Sequence, residues 1–415
     1  MSEEKFSYFV GLDIGTTAIR CVVGELSGGN PNPAVIGFSE VPSSGMRKGN
    51  VAHPDDVAQV IVQAIEEAER MSGQQIHSAT INVNGTHVQG INSRGVIAIS
   101  SPNREVTHDD LLRVEEAATV FQLPPNKDII QVFAKNYRLD GQDNLKDPLG
   151  MHGIRLEVDS HIIVASSPAL KTINQVLEKA RLSASHKTAT GLAAAELVLG
   201  RPQKDAGVAV LDIGYSTTNV VVIEDGEVEH IAVLPMGSNH ITNDLAIGLK
   251  TDLDIAELVK IKHASLDGSS LGETSFVQKG QKFSFDREMV RMIVEARVDE
   301  ILEFIDKEFK KIHRSRKLPG GVVFVGGGAK LPGLAEFAKE KLELPARVGQ
   351  WQHIGKLIGG MDEQRFAPAV GLMLLDMLLG PSAHTKHQAF SELQPQFLRS
   401  VKVSITQALR RFKRG

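Results

Sequence analysis

Two short polar turns, each between apolar segments, carry the residues best suited to chemistry. The residues are Asp13, Gly15, Thr16 and Thr17 in the first turn, and Asp212, Gly214, Tyr215, Ser216 and Thr217 in its near copy. A glycine allows the backbone N–H groups of a turn to approach a ligand closely, and successive N–H groups form a concavity that binds anions. Threonine and serine hydroxyls add hydrogen bonds to phosphate oxygens. Both turns therefore predict phosphate binding.

The two aspartates need a separate explanation, because a carboxylate repels phosphate. A cation between them removes the conflict, and Mg²⁺ suits this position since it takes one or two carboxylates, phosphate oxygens and several waters. We therefore predict that Asp13 and Asp212 hold Mg²⁺ through bound water.

The elements around the turns repeat as well. Residues 6–40 are predicted to form three strands, followed by a helix over 54–71 and a strand over 78–83. The second turn lies in a similar hairpin within 208–225. A duplicated α/β fold with one site between its halves follows from this repeat.

Two further stretches belong to this plan. An apolar strand runs into Gly326, Gly327 and Gly328, where bare backbone can receive a flat ring or a phosphate. Residues 85–161 have a different character and predict a separate β-α-β-β module, with a helix from Thr107 to about Phe121 and an exposed loop over 140–147.

Composition narrows the class of protein. The chain has 415 residues, 42% of them hydrophobic and 23% charged, which is typical of soluble globular proteins. We find no run of 18 apolar residues and no signal-peptide pattern at the N-terminus. The single cysteine, Cys21, excludes an internal disulfide and fits a reducing cytoplasm as a small core residue. The net charge of −4 argues against nucleic-acid binding.

The C-terminal tail differs from the rest of the chain. Residues 381–396 are polar and predict a flexible linker, whereas residues 398–415 contain six basic residues and no acidic ones. Apolar residues recur there at helical spacing, beside bases that include Arg410 and Arg411; they are Leu398, Val401, Ile405, Ala408, Leu409 and Phe412. This pattern predicts an amphipathic helix over 397–415 that lies on an anionic membrane surface. The linker argues against a helix docked on its own protein, and the apolar stripe argues against a nucleic-acid tail.

In this order, the motifs resemble the actin–chaperone–sugar kinase ATPase superfamily. The two turns are similar to its phosphate loops, 323–332 to its adenosine loop, and 190–199 and 367–375 to its connecting helices. The resemblance implies two ribonuclease H-like ATPase lobes that bind ATP and Mg²⁺. It also implies that Gly237 and Ser238 face phosphate, and that Glu257 and Lys260 flank the ribose and adenine.

Within the superfamily, the chain resembles the FtsA family of actin-like bacterial division proteins. The segments 45–49 and 234–244, and the insert after residue 84, carry this likeness. It implies a filament at the cytoplasmic face of the membrane that tethers the FtsZ ring at the division site. The implied partners are the FtsZ C-terminal tail, other copies of the chain, anionic lipids and other division proteins, with Arg297 as a candidate FtsZ contact.

The resemblance also gives domain boundaries. They are 1–84 with 162–198 and 366–380 for the first lobe, 85–161 for the insert, 199–235 with 301–365 for the second lobe, and 236–300 for its small subdomain. Asn219 stands where the superfamily often has an acid, and no catalytic residue can be assigned, so nucleotide binding is expected with slow hydrolysis at most. The alternatives are a related scaffold of pilus or secretion machinery and a small-molecule kinase.

Overall fold

The computed structural model describes residues 7–26, 31–121, 123–267, 275–278 and 281–380. The predicted linker and membrane helix, 381–396 and 397–415, lie outside the described residues. Within the described ranges, no helix is long and apolar enough to cross a membrane.

The N-terminal part forms the sheet predicted for the first lobe. Its elements are β1 (Ser7–Ile14), β2 (Ala18–Leu26), β3 (Ala34–Pro42), β4 (Met46–Arg47), β5 (Asn50–Val51), α1 (Pro54–Ser72) and β6 (Ser78–Val83). Strand β1 pairs antiparallel with β2 and parallel with β6. The apolar face of α1 packs onto this sheet through Val57, Ile61 and Ala64, which are fully buried.

The insert has the predicted β-α-β-β order and one additional strand. Its elements are β7 (Gln89–Ala98), α2 (His108–Ala117), β8 (Lys127–Leu139), β9 (Gln142–Leu145) and β10 (Arg155–Ser166). Helix α2 ends at Ala117, so its predicted extension to Phe121 is wrong. The loop predicted over 140–147 contains β9, because Asp140 and Gly141 both have positive φ and form a tight hairpin turn.

The segment after the insert returns to the first lobe. It contains α3 (Ser167–Lys179), β11 (Ser183–Ala189), α4 (Thr190–Val198) and α5 (Arg201–Ala206). Strand β11 completes a five-stranded sheet in the order β11-β6-β1-β2-β3. The sequence did not reveal β11, because its composition is mostly polar and its side chains are only half-buried at the sheet edge.

The second lobe repeats the arrangement of the first. Its elements are β12 (Val208–Ile213), β13 (Thr218–Glu224), β14 (Glu227–Leu234), α6 (Ser238–Gly248), α7 (Leu253–His263), β15 (Ser275–Gln278), β16 (Gln281–Ser284), α8 (Arg287–Lys311), β17 (Val322–Val325), a 3₁₀ turn (Gly327–Lys330), α9 (Leu334–Leu342) and β18 (Ala346–Val348). The last helix, α10 (Glu363–Leu379), packs mainly against β1 and α4 of the first lobe. Strand β12 pairs antiparallel with β13 and parallel with β17, just as β1 pairs with β2 and β6. The duplication predicted from the two turns is confirmed at the level of the fold.

A second sheet joins this lobe to the insert. Its order is β18-β17-β12-β13-β14-β7-β10-β8-β9. A single pair, Ala232 with Gln89, links β14 to β7. Lys135 and Glu229 form an ion pair across the same junction. The insert therefore contacts the second lobe although the chain enters it from the first.

Helices α4 and α10 pack against each other at the centre of the molecule. A Cβ atom on Gly371 of α10 would lie 1.9 Å from the carbonyl oxygen of Ala193 in α4. A Cβ on Gly11 of β1, which packs against α10, would lie 2.2 Å from the carbonyl oxygen of Ala369. Both distances are far below van der Waals contact, so glycine is required at both positions. Small residues in these helices thus permit close backbone contact, and the core depends on it.

Replacing Gly371 by Ala tests this contact. We expect G371A to lower the free energy of unfolding by about 1–3 kcal/mol, because backbone atoms have to move apart. G359A is the matched control: nothing lies within 4 Å of a Cβ at Gly359, so its effect should stay within about 0.5 kcal/mol. Urea denaturation followed by circular dichroism measures both, and equal stability of the two variants would contradict the packing argument.

Candidate functional site

The two polar turns are in direct contact. The hydroxyl oxygens of Thr16 and Ser216 are 3.2 Å apart, although 200 positions separate the residues in the chain. Each turn is closed by the same backbone bond: Gly15 donates to Ala18, and Gly214 donates to Thr217. The structure thus brings together the two sets of predicted phosphate-binding residues.

The carboxylates of Asp13 and Asp212 lie buried behind the turns, each held by an amide. Asn82 donates from Nδ2 to Asp13 at 2.7 Å, and Asn219 donates to Asp212 at 3.0 Å. Asn82 also accepts from the backbone N–H of Ile14 at 2.8 Å, so it fixes both the strand end and the carboxylate. Asn219, which replaces the more common acid, therefore orients Asp212 without adding charge.

Burial raises the pKa of both aspartates, because nearby positive charge and hydrogen bonds offset the loss of water only in part. Burial raises the pKa of Asp13 to about 6, against the opposing effect of Arg20, whose Nη1 lies 3.6 Å from the carboxylate. Burial and then the charge of Asp13 raise the pKa of Asp212 to about 7. Two carboxylates whose negative charges oppose each other in a buried place suit a divalent cation.

The donor set fits Mg²⁺ in its usual form at phosphate sites. Across the described part of the chain, no group of three or more His, Cys, Asp or Glu side chains is placed to hold a metal ion. Two carboxylates with water and phosphate oxygens make up a normal magnesium shell. Asp13 and Asp212 are the residues that would hold the ion.

The triple glycine lies directly against the second turn. Gly326 has a φ of 83°, and a Cβ there would lie 2.4 Å from Oδ1 of Asp212. A Cβ on Gly328 would lie 2.3 Å from the Ile213 side chain, whereas one on Gly327 would meet nothing within 4 Å. Two of the glycines thus permit packing, and Gly327 leaves bare backbone next to open space.

The N-terminus of α6 closes the same region. The N–H of Ser238 donates to Gly214 at 2.9 Å, and a Cβ on Gly237 would lie 2.6 Å from the carbonyl oxygen of Tyr215. Tyr215 itself is 40% exposed, so its ring is available to a ligand.

Glu257 and Lys260 lie next to this helix start. The Lys260 ammonium group donates to Glu257 at 2.6 Å, to Thr242 at 2.9 Å and to the carbonyl oxygen of Ser238 at 3.3 Å. The Lys260 side chain is only 11% exposed, and that of Glu257 is 35% exposed. The pair therefore lies against the start of α6, through the bond from Lys260 to Ser238.

Three residues of the site were not found from the sequence. Arg20 lies beside Asp13, and Asn82 donates a hydrogen bond to the Asp13 carboxylate. Asn84 donates to the Thr217 hydroxyl at 3.3 Å. The sequence offers one signal for such residues, a polar side chain within an otherwise apolar strand. Arg20 in β2 and Asn82 in β6 both show it. That signal identifies an unusual residue but not its partner.

The remaining candidates lie elsewhere. Arg297 on α8 binds Asp244 on α6 through Nε and Nη2, and Glu300 through Nη1. It is not in contact with the turns. The predicted membrane residues lie outside the described residues: Leu398, Val401, Ile405, Leu409, Arg410, Arg411 and Phe412.

Comparison with known proteins decides the family. A family profile described as "Cell division protein FtsA" matches residues 209–371, and one described as "SHS2 domain inserted in FTSA" matches 85–164. Cell division protein FtsA of Bacillus subtilis is 35% identical over 88% of this chain and 82% of its own length. The chain belongs to the FtsA family. FtsA of Pseudomonas aeruginosa is 31% identical over 98% of this chain and 97% of its own.

Solved structures of other proteins share the fold of this chain. A chain of the PilM–PilN type IV pilus biogenesis complex superposes with a TM-score of 0.63 at 20% identity, covering 88% of this chain and 97% of that one. MreB5 of Spiroplasma citri bound to ADP gives 0.53 at 12% identity over 89% and 96%. The predicted fold class is confirmed: this member of the FtsA family is a cell division protein with an actin-like fold and an SHS2 insert.

Replacing Asp212 by Asn tests the buried charge. In the ligand-free protein at pH 8 we expect D212N to be more stable than the wild type by about 2–4 kcal/mol, because it removes a buried carboxylate. This difference in stability should shrink as the pH falls below about 7, the raised pKa of Asp212, because folded wild-type protein then binds a proton at Asp212. It should vanish near pH 3.8, the pKa of the same group in the unfolded chain. Urea unfolding at several pH values measures the difference, and a gain independent of pH would contradict the assignment.

Proposed function

We propose that this protein is an ATP-binding, actin-like filament protein that polymerises on the cytoplasmic face of the membrane and tethers the FtsZ ring at the division site. Membership of the FtsA family supports the role in division. The observation that carries nucleotide binding is the meeting of the two turns, with Thr16 and Ser216 3.2 Å apart in front of two buried aspartates.

In this proposal each part of the site has one task. The turn backbones and the Thr16, Thr17, Ser216 and Thr217 hydroxyls bind phosphate oxygens, while the triple glycine and Lys260 border the nucleoside. Bound Mg²⁺ neutralises phosphate and carboxylate charge together. Spiroplasma citri MreB5, which shares the fold, has been solved with ADP and with AMPPNP. Tethering requires an occupied site rather than rapid turnover, so slow hydrolysis is compatible with the function.

The tail supplies the membrane contact in this proposal. Residues 397–415 combine an apolar stripe with six bases, which suits a helix lying among anionic headgroups. Each base contributes about 1 kcal/mol near such a surface. A single helix of this kind binds reversibly, so a filament that presents many copies provides firm attachment.

The FtsZ tail is proposed to bind the small subdomain of the second lobe. Ile247 at the end of α6 is 77% exposed, and Met289 and Met292, one turn apart on α8, are 36% and 54% exposed. A Cβ on Gly248 would lie 3.7 Å from the Met289 methyl group, so these side chains border one surface. Arg297 lies farther along α8 and holds α8 to α6 through Asp244.

Two alternatives are less well supported. A pilus or secretion scaffold shares the fold, but the likeness to the pilus complex is 20% in sequence, against 31–35% for the FtsA relatives. A small-molecule kinase has no use for the basic amphipathic tail.

Vesicle pelleting with ATP and Mg²⁺ tests the membrane role. We expect the full chain to pellet with anionic vesicles and to remain soluble with neutral ones, because its bases need anionic headgroups. A truncation that ends at Gln396 should remain soluble in both cases. The double variant I405E/L409E keeps the length of the tail and should also lose binding. If the truncated chain pellets as well as the full chain, the tail is not the membrane anchor.

A binding assay with a labelled FtsZ C-terminal peptide tests the docking surface. We expect I247S/M292S to weaken binding by at least about tenfold, since apolar anchors carry most of the energy of such contacts. V120S is the control, because Val120 is an equally exposed apolar residue on the insert, 81% accessible. Unchanged affinity in the double variant would move the site away from α6 and α8.

A further inference from the structure

A buried arginine lies between the first phosphate turn and a third carboxylate. Arg20 is 7% exposed, and its Nη1 lies 3.6 Å from Asp13. On its other side, Nε and Nη2 donate to Oε1 of Glu40 at 3.0 and 2.7 Å. The guanidinium carbon also lies 5.7 Å from the centre of the Phe366 ring. Arg20 is therefore held more closely by Glu40 than by Asp13.

Glu40 connects this arginine to the start of α10. The same oxygen, Oε1, accepts from Arg365 as well as from Arg20. Asp362, which caps α10, accepts from the backbone N–H of Arg365 at 3.2 Å and forms an ion pair with Lys330. Lys330 ends the 3₁₀ turn that contains the last two of the three glycines. A line of alternating charges thus runs from the first phosphate turn to the glycine loop.

The distances decide what Glu40 does. Without Glu40, the nearest carboxylate to the Arg20 guanidinium would be Asp13, and a buried arginine requires a counter-ion. Arg20 would then close onto Asp13 and compete with a cation for its oxygens. With Glu40 present, Arg20 is bonded to Glu40 at 2.7 and 3.0 Å and stays 3.6 Å from Asp13, close enough to moderate the charge of that buried carboxylate.

We propose that Glu40 is a positioning residue of the nucleotide site: it holds Arg20 back from Asp13, so that Mg²⁺ enters between the carboxylates at low concentration, and Arg365 supports it in this role. The inference rests on the proposed binding of a magnesium nucleotide. It adds that Glu40 sets the Mg²⁺ concentration at which the site fills, and a site could bind nucleotide without such a residue.

The test is a titration of Mg²⁺ with a fluorescent ATP analogue at fixed concentration. We expect E40Q to raise the Mg²⁺ concentration for half-maximal binding by about tenfold. R365Q should raise it by about threefold, because its ion pair is more exposed and Arg20 keeps its bonds to Glu40. E25Q is the matched control, since Glu25 lies on β2, the strand of Arg20, at the end far from the turn. Thermal unfolding checks that each variant is folded.

The outcomes separate the inference from the proposed function. If the wild type binds the analogue and the Mg²⁺ midpoint of E40Q equals that of E25Q, Glu40 does not position the site. A shift in E40Q that E40D fails to reduce would also overturn the proposal, because aspartate restores the counter-ion. If the wild type fails to bind the analogue at any Mg²⁺ concentration, the proposed nucleotide function itself is wrong.

Discussion

The structure is built around two carboxylates that are kept buried and close enough to influence each other. Each raises the energy of the other, and the surroundings offset this with amides from Asn82 and Asn219 and with the guanidinium of Arg20. Under the proposed function, a bound magnesium nucleotide would complete the neutralisation, with Asp13 and Asp212 as the residues that would hold the cation and the N–H groups of the turns available to phosphate. Burial of these charges costs free energy of folding, and the raised pKa values of Asp13 and Asp212 reflect that cost.

The glycines of the site follow from the same constraint. The backbone at Gly326 lies so near Asp212 that a Cβ would overlap the carboxylate, so a side chain at this position would push the glycine loop away from the buried acids. The helix start at Ser238 approaches the second turn in the same way. Close backbone approach thus brings the glycine loop and the start of α6 against the second turn.

Local patterns predicted a large part of this arrangement. The two turns, the triple glycine and the order of the insert are visible in contiguous residues, and the fold repeats them in the expected places. Asn82 and Arg20 were not predicted as site residues, because their partners depend on which strands become neighbours: β6 lies beside β1 only in the folded sheet. Strand β11 lacks an apolar period, since it forms a half-buried edge. The β8–β9 hairpin was not predicted, because its turn consists of only two residues with positive φ, Asp140 and Gly141, within a polar stretch.

The contact between α4 and α10 has a mechanical consequence. At Gly371 the two helices meet backbone to backbone, because this residue places no side chain between them. A small rotation of one helix on the other leaves every rotamer at that point unchanged, whereas any added volume is rejected. The spacing of the two helices at this point is therefore set by backbone contact and not by the choice of side-chain rotamers.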